Sequence, residues 1–85
     1  MSAPADERTR RIKEIVCEVL EINQDELTDT SLFREEHGAD SLRAIEIVAL
    51  LEKEFNVVVD QAQFTRMVDL AGVRGVIAEA AGWQP

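Results

Sequence analysis

The sequence predicts an all-α fold: a small antiparallel four-helix bundle, three main helices plus one short helix, with a long first loop. Three observations predict it. Apolar residues recur at helical spacing in three segments of the 85-residue chain, 6–22, 41–55 and 70–80. Each segment is followed by a residue that stops helices, Asn23, Asn56 and Gly82. The one β-prone run, Val57-Val58-Val59, has no second strand to pair with.

Composition bounds the rest. With 46% hydrophobic and 31% charged residues the chain is globular rather than disordered. Its length allows one domain with a modest core. The net charge of −8, from 17 acids against 9 bases, repels nucleic acid and anionic membrane and attracts partners with basic patches. One Cys and one His exclude a disulfide and a Cys- or His-based metal site. No apolar run reaches the roughly 18 residues of a membrane span. Met1-Ser2-Ala3-Pro4 has neither the basic start nor the apolar stretch of a signal peptide. The expectation is a free-standing, cytoplasmic, monomeric protein.

Taken in order, residues 1–5 are expected to be a flexible tail. Helix one follows over 6–22, with Ile12, Ile15, Val16, Val19 and Leu20 on one face. Arg8, Arg10, Arg11 and Lys13 alternate with acids and read as a solvated face, and Cys17 reads as a partly buried apolar residue near the edge of the stripe. Residues 23–40 form a connection long enough to suggest a function. It holds six acids and one Arg and is expected to draw divalent cations; Leu27, Leu32 and Phe33 pin it to the core. Thr28-Asp29-Thr30-Ser31 is turn chemistry that caps a short helical turn, and His37 reads as a solvated loop residue. Helix two spans Ser41 to Phe55, with Asp40 as N-cap acceptor and Gly38 allowing a sharp approach. A linker tucks one valine of 57–59 into the core, and 61–66 makes a short helical piece. Asp69 caps the last helix, which presents Leu70, Val73, Ile77 and Ala80; Gly72 and Gly75 weaken it by about 1 kcal/mol each. Residues 83–85 are expected as a second tail, Trp83 loose or exposed.

Helix two has more apolar surface than a core needs. At about 100° per residue, Ala44, Ile47, Val48, Leu51 and Phe55 make a complete inward stripe. Leu42, Ile45 and Ala49 make a second, centred roughly 130° away and flanked by Glu46 and Glu52. An exposed apolar strip rimmed by acids is a docking face for a basic partner; a helix buried on both sides gives the same pattern.

Gly38-Ala39-Asp40-Ser41-Leu42 places a serine hydroxyl where helix two begins, a position that favours a bound or attached phosphate. No His or Lys is placed by a motif to activate Ser41, so it reads as a residue that another protein modifies, with no catalytic residue in the chain. A bare helix cap is the alternative reading of these five residues.

This motif, followed by Ile45-Glu46-Ile47-Val48 and Leu51-Glu52-Lys53-Glu54-Phe55, preceded by a long acidic loop and closed by a helix over 70–80, resembles an acyl carrier protein over residues 8–81. The resemblance implies a carrier domain over 6–82 that catalyses nothing. It implies 4′-phosphopantetheine on Ser41, between Asp40 and Leu42, attached by a phosphopantetheinyl transferase from coenzyme A. Acyl groups would ride on the arm as thioesters between an acyltransferase or acyl ligase and a ketosynthase or other acyl-processing enzyme. The recognition helix would present Leu42, Arg43, Ile45, Glu46, Ala49 and Glu52 to these partners. A sequestered acyl chain would lie among Val48, Leu51, Val59, Leu70 and Ile77, with Phe33 and Phe64 as core or lining.

Some residues depart from the family's fatty-acid members. Arg43 stands where an acid is common, Lys53 interrupts the closing acidic run, and Asp60 replaces a common Pro. These departures favour polyketide or related secondary-metabolite biosynthesis over a housekeeping fatty-acid role, and Asp-Ser-Leu leans away from aminoacyl cargo. From another class, an acidic helical interaction module without a prosthetic group fits the composition too.

Overall fold

The computed structural model describes residues 4–38 and 40–83. They form helices α1 (Pro4–Leu20), α2 (Phe33–His37), α3 (Ser41–Phe55) and α4 (Leu70–Ala81), with 3-10 turns at Gln24–Glu26 and Gln61–Arg66. There is no strand among the described residues, and no helix long and apolar enough to cross a membrane. Of the tails expected at 1–5 and 83–85, residues 1–3 and 84–85 lie outside the described residues, as does Ala39. Helix α1 starts at Pro4, two residues before the expected boundary, because proline is well suited to a first helical turn whose N–H has no partner.

The three long helices share one ending. The N–H of Ile22 donates to Cys17 O at 3.1 Å, that of Val57 to Glu52 O at 3.1 Å, and that of Trp83 to Ala78 O at 3.0 Å. Each bond spans a left-handed residue, Glu21 (φ 58°), Asn56 (φ 54°) or Gly82 (φ 70°). This is the Schellman geometry, in which the residue after the left-handed one packs back on the helix. Ile22, Val57 and Trp83 do pack against the core. Helix α1 therefore stops at Leu20 and not at Ile22.

Helix α1 packs on both α3 and α4. The core is Ile12, Ile15, Val16, Cys17 and Val19 of α1, Ile47, Val48 and Leu51 of α3, and Leu70, Val73, Val76 and Ile77 of α4; Leu27, Phe33, Val59 and Met67 close it. Cys17 is fully buried, and burial pushes its thiol pKa up. Val76, not Ala80, completes the inner face of α4, and Leu32 is exposed. Trp83 is half-buried: it meets Phe55 edge-on at 5.2 Å, and the Arg8 guanidinium lies 4.5 Å from its ring centroid.

The long connection is ordered by its own acids. Glu26 accepts from the Asn23 N–H at 2.7 Å, and Glu36 from the Leu32 N–H at 2.8 Å. Asp29 accepts both guanidinium N–H groups of Arg74, at 2.7 and 3.3 Å, while its carbonyl accepts from the Ala71 N–H. The Phe33 N–H donates to Val68 O at 3.0 Å. Spent on local caps and on α4, these acids do not gather: among the described residues no three His, Cys, Asp or Glu could hold a metal ion. Among the described residues the expected draw on divalent cations finds no three-ligand cluster.

Candidate functional site: the serine at the start of α3

Asp40, in extended conformation, accepts from the Arg43 N–H through Oδ1 at 3.0 Å, and its carbonyl accepts from the Ala44 N–H. These two bonds fix the first turn of α3. Gly38, at φ 65°, reverses the chain after α2 without a Cβ penalty. Ser41 is the first residue of α3; it is exposed, and its hydroxyl has no hydrogen-bond partner among the described residues.

An open groove of about 360 Å³ runs beside Ser41, between α2, α3 and the segment leading into α4. Val48, Phe64, Met67 and Val73 supply much of its apolar lining, and Arg34, Glu35, Asp40 and Ser41 supply its polar part. The expected acyl lining was different. Phe33, Phe64 and Val48 border the groove, but Leu51, Leu70 and Ile77 are within 1% of full burial and Val59 is sealed into the core. The space opens towards the 61–68 segment instead. Sequence reasoning missed Arg34, Met67 and Val73; the signal available for Arg34 was one base in an otherwise acidic loop.

On α3 the two apolar stripes separate. Ile47, Val48 and Leu51 are buried and Ala44 and Phe55 half-buried, while Leu42 (65% exposed), Ile45 (53%) and Ala49 face solvent together with Leu50. Glu46 is exposed. Arg43 and Glu52 are turned to their own chain. Arg43 donates to Val19 O at 2.9 Å and to Glu21 Oε2 at 3.1 Å, filling an acceptor at the end of α1 with a cation. Glu52 accepts from the Val59 N–H at 2.8 Å and closes the turn after α3. His37 is the last residue of α2, not a solvated loop residue; its Nε2 is buried without a partner among the described residues.

What stands at the site is an exposed hydroxyl at a capped helix start, beside a groove whose described lining offers two carboxylates, one guanidinium and apolar walls. Comparison with known proteins gives the family. Residues 10–79 match the model of the phosphopantetheine attachment site. Polyketide-8 synthase acyl carrier protein 1 of Streptomyces avermitilis is 61% identical over 74 residues, 87% of this chain and 88% of that one. An acyl carrier protein of Wolinella succinogenes is 37% identical over 62 residues, 73% of this chain and 82% of that one. A chain in a solved structure described as "The ishigamide ketosynthase/chain length factor" is similar with a TM-score of 0.78 at 36% identity, covering 95% of this chain and 100% of that one. The chain belongs to the phosphopantetheine-binding family of acyl carrier proteins.

The group this family carries is 4′-phosphopantetheine, whose thiol holds an acyl group as a thioester. The residues present fit it: an exposed hydroxyl, without a partner among the described residues, stands beside an open groove with apolar walls.

Proposed function

We infer that Ser41 is the attachment point of the arm and that the chain delivers acyl intermediates in polyketide or related secondary-metabolite biosynthesis. The observation that carries the attachment is the free Ser41 hydroxyl on a helix turn fixed by Asp40. The protein offers the oxygen; the base that takes its proton comes from the modifying transferase. Leu42, Ile45 and Ala49, with Glu46 at their edge, form the face offered to that transferase, to an acyltransferase or acyl ligase, and to a ketosynthase. Arg43 and Glu52 hold this face in shape from within. The polyketide assignment is supported by the 61% identity to the Streptomyces carrier, against 37% to the Wolinella acyl carrier protein. A ketosynthase partner is supported by the structure that holds a chain of this size and fold. The carrier domain spans residues 6–82 and works as a cytoplasmic monomer.

Intact mass after incubation with coenzyme A, Mg²⁺ and a broad-specificity phosphopantetheinyl transferase tests the attachment. Wild type gains one arm. Ser41→Ala gains none and stays folded, its loss costing at most about 1 kcal/mol because Asp40, not Ser41, makes the cap. A modified Ala variant, or a wild type that no transferase modifies, removes the assignment.

A further inference from the structure

Ser41 shares its groove with three charged side chains, Arg34, Glu35 and Asp40. Asp40 is committed through Oδ1 to the first turn of α3. Arg34 is the one base among the residues that line the groove. Elsewhere Arg11, Arg43, Arg66 and Arg74 are each held by a carboxylate within 3.3 Å. Arg34 forms no ion pair and no hydrogen bond among the described residues, although two acids border the same groove. Its neighbour Glu35 is one residue on in the same helix, and consecutive helical side chains diverge. The reversal at Gly38 brings α2 and the start of α3 to the same groove.

A group joined to Ser41 through a phosphodiester puts a permanent negative charge into a groove that already holds two carboxylates and one free guanidinium. We propose that Arg34 is the counter-charge of that phosphodiester and, by pairing with it, seats the root of the arm against the groove. Guanidinium is suited to this: it stays protonated at every working pH and can give two N–H groups to two phosphate oxygens. The pairing rests on Ser41 being the attachment point. Arg34 acts here as a positioning residue, and it neutralises charge that Glu35 and Asp40 would otherwise compound.

The test uses the loaded protein, its modification checked first by intact mass. On going from apo to holo, the Arg34 Nε–Hε resonance shifts. The ³¹P resonance of holo Arg34→Gln differs from that of wild type, while Arg34→Lys, which keeps the charge and loses the fork, falls between. Near 1 M salt, where screening acts over about 3 Å, the wild-type ³¹P resonance moves towards that of the Gln variant. Full modification by mass with unmoved Arg34 and ³¹P signals overturns the proposal and leaves Ser41 as the attachment point. An Arg34 signal that moves only when the arm bears malonate, and not in the holo or acetyl form, also overturns it, because the anion is then the cargo's carboxylate. Absence of any mass gain overturns it together with the Ser41 assignment.

Discussion

Glycine 72 and glycine 75 look alike in the sequence, two helix-weakening residues one turn apart, yet their surroundings give them opposite consequences. A Cβ on Gly72 would run into the backbone carbonyl of Arg66, so the 3-10 segment crosses α4 at a point only glycine permits. A Cβ on Gly75 meets only the tip of Arg66, at an ordinary 3.5 Å. Gly72→Ala is expected to lower stability by about 1–3 kcal/mol through overpacking. Gly75→Ala is expected to raise it by about 0.5–1 kcal/mol through helix propensity and a less flexible unfolded chain. Urea titrations of the two variants check the opposite signs. Arg43 and Glu52 carry a related lesson. The helical wheel put Glu52, and the family resemblance Arg43, on the partner face, but each reaches a backbone group on another segment, and no local pattern encodes a reach to Val19 or Val59. Asp40 and Ser41 were legible because their geometry is local, a cap and its next residue.

On the scale of elements, α3 gives a direct comparison. Ile45→Ala removes a side chain that is 53% exposed and is expected to change stability by less than about 0.5 kcal/mol. Val48→Ala removes methyls from a residue 5% exposed and is expected to cost about 2 kcal/mol. Equal losses in thermal or urea unfolding would mean that both stripes are buried. The two stripes were visible in the sequence; which of them is covered depends on where α1 and α4 pack, and periodicity holds no such information. Helix α2 was reduced to a possible turn because five residues have no period, and α1 was drawn two residues long because Glu21, unlike Asn56 or Gly82, is not a residue type that signals a left-handed stop. The strap from Asp29 to α4 yields a pH effect. The hydrogen bonds from Arg74 hold the Asp29 carboxyl below the ordinary aspartate range. A depressed carboxylate adds stability that is complete above the unfolded-state pKa and disappears as pH falls through the lower folded-state value. Wild type is therefore expected to exceed Asp29→Asn in stability at pH 7 by a margin that is flat down to about pH 5 and shrinks in stronger acid, as unfolding at a series of pH values will measure. A margin that grows on acidification contradicts the strap.

For the whole molecule, charge is the dominant long-range term. A net −8 on 85 residues is self-repulsive, and screening it should raise the melting temperature between about 10 mM and 0.2 M NaCl. With Glu26, Glu36 and Asp29 occupied by local partners and no three-ligand cluster among the described residues, CaCl₂ and MgCl₂ at matched ionic strength should add nothing further. Calorimetric scans separate the cases: a flat response to NaCl removes the repulsion argument, and a divalent-specific rise reveals a site. Charge, the three apolar periods and the helix stops were enough to specify the architecture. The groove was not, since it is a gap left between α2, α3 and the 61–68 segment, set by how far Phe64 and Met67 stand from Val48.

The packing of Arg8 over the Trp83 ring, and of Phe55 edge-on against it, also decides how this unit can be joined to others. The N-terminal part of α1 and the residue after α4 meet there, so a join between the chain's ends, or its insertion into a longer polypeptide, would not have to open the core. Phe55 ends the helix that Ser41 begins, and fourteen steps of helical rise place that seam roughly 20 Å from the serine. A tether leaving from this pole would start at the end of α3 away from Ser41, leaving the serine end open to the enzymes proposed to act there.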